Sequence, residues 1–323
     1  MMRKIFGFCF AMVLSVLFCG CEEGQLLTVD FMPGLQQEYK IVSERKITLD
    51  VRGEGTSKGK SQEMSEKMEL MITYGALGEE DEYGRTTVKA ICESAKVTRK
   101  SFTGKSTPRD TVESLAGKSF VLRLSATGQI EDYSDLERVI KELGKGALGP
   151  GSNDKKVKNP DMISDFAASQ WYLWDSVSKI NKPGKGVVEG QSWTTEQVVP
   201  MPLTLNVAKK ATYTLARIED AAGEKIAFID STFEMGKRNV QHWCDPYGEP
   251  CYMKGMFAFL RGYELVSLEG SGEQVFNVSR GYIEKETQKY TSVFNVAFPM
   301  ALGDTLPQLI VEQKFSLELM NSQ

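Results

Sequence analysis

Apolar residues in this chain recur mostly at every second position, the period of a strand with one buried face. The alternation begins at Tyr39–Val42 and Lys46–Val51. It resumes at Met64–Tyr74, where Met68, Leu70, Ile72 and Tyr74 share a face, and again at Thr86–Val97 and Ser119–Ser125. After Val187 a second series follows: Ser192–Val199, Ala211–Glu219, Lys225–Met235, Gly262–Glu269, Glu273–Ser279, Tyr282–Phe298 and Gln308–Met320. Ala221–Glu224 and Ser279–Gly281 read as hairpin turns, and Arg52–Gln62 as a polar hairpin loop.

Between the two series the period changes to that of a helix. Leu136, Val139, Ile140 and Leu143 fall on one face behind a capping box, Ser134 with Glu137, and Gly144 is expected to stop that helix. Residues 145–158 form a linker. Asn159-Pro160 then offers a cap and a first helical residue for a long helix over 159–182, with Ile163, Phe166, Ala167, Trp171, Trp174 and Val177 on its apolar side. The expected fold is α+β and mainly antiparallel β. An N-terminal β half (38–144) and a C-terminal β half (187–323) flank two helices, and residues 22–37 serve as a tether.

One echo links the halves. Phe120–Asp132 (FVLRLSATGQIED) resembles Val275–Lys285 (VFNVSRGYIEK) once one residue is dropped before the glycine. Internal duplication and the recurrence of an ordinary hairpin are both open readings.

The first twenty-one residues, MMRKIFGFCFAMVLSVLFCGC, have a different logic. Arg3 and Lys4 precede an apolar run from Ile5 to Phe18, and Glu22-Glu23 cut it off, which is a secretory-signal pattern. Its end, Leu17-Phe18-Cys19-Gly20-Cys21, resembles a bacterial lipobox, departing from it at Phe18 and Cys19. That resemblance implies cleavage after Gly20 and a diacylglycerol and acyl anchor on Cys21, the only covalent group expected here. An ordinary cleaved signal and an uncleaved anchor are the alternatives. With its strand–Gly–Ile–Glu hairpins, the whole chain is similar to an uncharacterised group of β-rich bacterial lipoproteins, a resemblance that implies no activity. The location it implies is the cell envelope, facing the periplasm or exterior.

Charge and cysteines narrow the chemistry. The formal charge is −4, and loss of Arg3 and Lys4 makes it −6, which excludes the basic surface that nucleic acid requires. In an oxidising compartment Cys244 and Cys251, separated by the turn-forming Asp245–Pro250, are natural disulfide partners, while Cys92 reads as a buried strand thiol. A soft-metal site through His242, Cys244 and Cys251 is the rival reading, and no metal is expected. His242 is the single histidine, so no histidine-based triad is available. Gly144–Gly149 spells G-x-G-x-x-G but follows a helix, and Ser176–Lys179 spells S-x-x-K without its partner motifs. Ser176 is expected on a helix surface.

The expected role is therefore binding or scaffolding at a membrane, with no catalytic residues. Its partner would be another envelope protein or an amphiphile. A carrier or sensor, with Trp171 and Trp174 lining a cavity for a lipid-like ligand, is the alternative. A carboxylate- or metal-dependent enzyme comes third.

Overall fold

The period-two stretches form eleven strands of a single antiparallel sheet, described by a computed structural model over residues 24–51, 61–101, 109–148, 161–180, 185–201, 207–237, 262–297 and 307–322. The strands are β1 (Gln36–Asp50), β2 (Ser61–Ala76), β3 (Thr86–Lys100), β4 (Ser119–Leu124), β5 (Ile130–Asp132), β6 (Ser192–Val199), β7 (Val207–Ala221), β8 (Glu224–Met235), β9 (Gly262–Asn277), β10 (Tyr282–Ala297) and β11 (Gln308–Ser322). Their order is β5-β4-β3-β2-β1-β11-β10-β9-β8-β7-β6. Two five-strand runs therefore stand in the same order on either side of β11. The echo segments Phe120–Asp132 and Val275–Lys285 span the fourth and fifth strands of the two runs.

The mainly antiparallel α+β fold is thus realised, with helices set between the two strand series. Alternation sorts the sheet's faces. On β1 the odd positions from Gln37 to Leu49 are buried and the even ones face solvent. The inward face carries the core and the helices. These are α1 (Ser134–Leu148), α2 (Ile163–Tyr172) and α3 (Asp175–Ser178), with a 3-10 turn at Thr111–Leu115.

The helices depart from expectation in three ways. The carboxylate of Asp132 accepts the Ser134 N–H at 3.0 Å, so the first turn of α1 is met from upstream of the capping box. Gly144 does not end α1, which continues to Leu148. Gly146, just beyond it, packs closely: a Cβ there would sit 3.3 Å from Thr111 Cγ2. The long helix expected over 159–182 is two helices, broken at Leu173-Trp174. Trp174 leaves helical geometry (φ −127°, ψ 9°) and packs edge-on to Phe31 at 5.6 Å and Tyr74 at 5.7 Å. Tertiary burial of the largest side chain overrides local propensity there.

β9 also differs. The sequence divides it around Gly270-Ser271-Gly272, whereas the strand is continuous. A Cβ on Gly270 would strike the Lys289 carbonyl and Tyr290, and one on Gly272 the Thr287 carbonyl and Ser231. The glycines let β9 lie close to β10 at a bend, the use glycine finds inside curved sheets.

Residues 22–37, read as a tether, dock from Gly24 onward. Gln25 pairs with Val187, and Leu27 and Phe31 are buried. Val29 lies against Gly128 in the β4–β5 turn, while the next residue donates from Asp30 N to Gly281 O at 2.8 Å in the β9–β10 turn. Two consecutive residues thus touch turns that stand six strands apart in sheet order. The sheet curls around its helices, and this segment bridges its rim at the end where β1 begins.

Candidate functional site

The inward face carries a layer of charge that the apolar alternation does not announce. Pairing register sets Arg99, Glu66, Arg45, Gln313, Tyr290 and Gly270 in one row across β3, β2, β1, β11, β10 and β9. Glu66 is bridged by both Arg45 and Arg99. Arg45 also binds Asp165 of α2 at 2.5 Å, and Arg99 binds Asp110 at 2.7 Å. Asp165 further accepts from Ser43 at 2.8 Å and Gln313 at 3.0 Å. Burial opposes the charge on Glu66, yet the two guanidinium groups outweigh it and hold its carboxyl below the usual range. Burial wins at Asp165 and Asp110, whose carboxyls are pushed up. This buried ion network, in which the Gln313 side-chain oxygen has no partner among the described residues, ties α2 and the 3-10 turn to one register of the sheet.

A second buried group lies under β7. Lys209 Nζ donates to Gln288 Oε1 at 2.5 Å and stands 4.2–4.3 Å from the ring centres of Tyr172, Phe233 and Tyr290. Burial pulls its amine down to about 7 and pushes the Glu286 carboxyl up to about 7 and the Asp175 carboxyl up to about 6. Lys209 and Glu286 are enclosed and shape the interior, while Asp175 borders the small recess beside Trp171 and Trp174. Among the described residues no group of three His, Cys, Asp or Glu side chains is set to hold a metal ion.

A recess of ligand size is on the other face. A trough of about 790 Å³ is lined by three consecutive residues on each of six adjacent strands: 98–100, 65–67, 44–46, 312–314, 289–291 and 269–271. In every triplet the middle residue belongs to the inward row just described, and no helix residue takes part. The trough therefore crosses the solvent face, floored by the backbone of that row and walled by its outward neighbours. Six strands about 4.8 Å apart make it about 24 Å long, running perpendicular to the strands.

Its outward side chains are all charged or hydroxylated. Lys46, Lys67, Lys100, Lys289 and Lys314 point outward with Glu44, Glu269 and Glu312, and Ser65, Ser271, Thr98 and Thr291 complete them. Two positive charges are in excess, against a chain of net −4. Lys46 pairs with Glu63 at 2.8 Å, and Lys67 with Glu69 at 3.2 Å and Glu44 at 3.4 Å. Lys100, Lys289 and Lys314 form no ion pair among the described residues.

The residues singled out from sequence are placed elsewhere. Cys21, His242, Cys244 and Cys251 lie outside the described residues. Trp174 is core, and Trp171 is half-buried against Tyr133, with ring centres 5.0 Å apart. The recess beside both tryptophans holds about 80 Å³ and is shared with Asp175, Gln197 and Lys179. Ser176, expected on a helix surface, is buried and donates to Gln274 Oε1 at 2.5 Å. The Cys92 thiol is buried and free, and burial pushes it up to about 12. The trough itself was open to discovery in one respect, because Arg45 and Glu66 interrupt the apolar phase of β1 and β2. Which lysines meet across strands depends on pairing register. No protein-family model matches this chain, and no curated protein matches it in sequence.

Proposed function

We propose that this protein is a lipid-anchored binding protein of the cell envelope, and that the outer trough is its contact surface. The observation that carries this reading is the 790 Å³ trough on a sheet whose inner face is filled by its own helices. Binding sites for small molecules and short chains span about 300–1,000 Å³, a range the trough meets. The recess of about 80 Å³ beside Trp171 and Trp174 is far smaller than an acyl chain needs, which favours the binding reading over the carrier among the described residues.

The anchor gives the trough a place. Gly24 is docked at the end of the sheet where β1 starts, and Cys21 precedes it by three residues, a reach of about 10 Å. A lipid on Cys21 would hold that end at the bilayer. The trough, nine residues further along β1, would stand about 30 Å above it and run parallel to the membrane.

Two measurements test this. Cys21→Ser should leave the protein soluble or uncleaved, and normal processing with retention in the membrane would refute the anchor. Native mass spectrometry of the detergent-extracted protein should show no bound acyl ligand beyond the covalent one. A stoichiometric lipid mass would replace the trough with a carrier cavity.

A further inference from the structure

We infer that the trough binds a linear anionic glycan through a ladder of lysines one strand apart. This rests on the binding-protein reading above and names its ligand class. Five adjacent strands, β3, β2, β1, β11 and β10, each project one lysine into the trough: Lys100, Lys67, Lys46, Lys314 and Lys289. The register divides them between the two walls: Lys67, Lys314 and Lys289 stand in one row with Glu44, and Lys100 and Lys46 in the other with Glu312 and Glu269. A chain lying in the trough passes one lysine on each of these five strands, and Lys314 and Lys289 form the one adjacent pair within a wall.

The register supplies a second, independent observation. Lys289 and Lys314 are directly opposite one another, both exposed. Like charges so placed destabilise a sheet, and a carboxylate at either position would relieve them. The other cross-strand neighbour of Lys314 is Glu44, already drawn to Lys67 at 3.4 Å. Among the described residues no carboxylate stands within ion-pair distance of either ammonium group, Glu269 and Glu312 of the same trough included, and the recess is large enough to admit an anion.

The remaining walls decide between polyanions. The outward side chains of the trough are charged or hydroxylated, so an acidic peptide would meet lysine stems and no aliphatic or aromatic pocket for its anchors. Along the trough β2, β1, β11, β10 and β9 are paired on both sides, which leaves strand addition only the edge of β3 at Thr98–Lys100, at one end of the trough. Hydroxyls from Ser65, Ser271, Thr98 and Thr291 suit a polyhydroxylated chain carrying carboxylate or sulfate groups.

The test uses the full-length protein in detergent and fluorescently labelled oligomers of polygalacturonate and of dextran sulfate. Binding that weakens steeply with salt is expected, and the arm that binds more tightly identifies carboxylate or sulfate as the recognised group. Lys289→Ser with Lys314→Ser should weaken it at least tenfold, without lowering the unfolding midpoint. Lys210→Ser, on β7 outside the trough and paired with Glu234 at 2.7 Å, should change it less than twofold. Equal loss in Lys210→Ser would reduce the effect to general charge attraction and overturn the site. So would tighter binding of polyglutamate, binding only to phosphatidylglycerol vesicles, or no binding at all. Failure here refutes the glycan while leaving the anchor to its own Cys21→Ser test.

Discussion

Lys289 and Lys314 show how much a side chain's meaning depends on what stands across the strand. Each is an ordinary exposed lysine in the alternation; opposed, they repel. Lys289→Glu should therefore stabilise the fold by about 0.2–1 kcal/mol in chemical denaturation while abolishing polyanion binding. Lys209 argues the reverse case, a cation whose cost is burial. Its folded value near 7 lies below the unfolded lysine value of about 10.4. The unfolded state then holds the extra proton, so this group makes stability rise as pH climbs from about 7 towards 10. Glu286 and Asp175 are raised instead, to about 7 and about 6, and their contribution is lost as pH rises through those values. Together the three groups place a stability minimum near neutrality. In Lys209→Met the thermal midpoint should stop rising between pH 7 and pH 10, and an unchanged upper limb would show that Lys209 does not titrate there.

At the scale of elements, strands were legible and helix limits were not. Period-two alternation needs only neighbours in sequence, so β6 matches its expected span and most other strands differ by a few residues at their ends. Helix limits depend on what lies outside the helix. α1 runs through Gly144 to a stretch where Gly146 packs against Thr111, and the second helix breaks where Trp174 finds Phe31 and Tyr74. α2 is buried on its polar side as well, with Ser164, Asp165, Ser169 and Gln170 all enclosed. The link between α2 and the sheet is the Arg45–Asp165 pair, which also backs the trough floor. Arg45→Ala should cost about 3–5 kcal/mol in urea denaturation, because it strands Asp165 and half-strands Glu66 in the interior. A loss below about 1 kcal/mol would mean that water satisfies these carboxylates.

At the scale of the whole molecule, the docked N-terminal segment turns an address signal into an orientation. Phe31 seats beside Trp174, and the segment's Val29 and Asp30 join two distant turns of the curled sheet. Phe31→Ala should cost about 3–5 kcal/mol and expose the rim to proteolysis before the rest of the body. The sequence by itself determined the class of fold, the two strand series with helices between them, and the turns at Ala221–Glu224 and Ser279–Gly281, where Ala222, Gly223 and Gly281 take positive φ. These follow from local periodicity and local backbone preference. Only the tertiary structure decided that the sheet is one and curls, that Arg45, Glu66 and Arg99 meet on its inner face, and that five lysines wall one trough on its outer face. Those facts are set by pairing register between strands distant in sequence, such as β1 with β11, which no local pattern encodes.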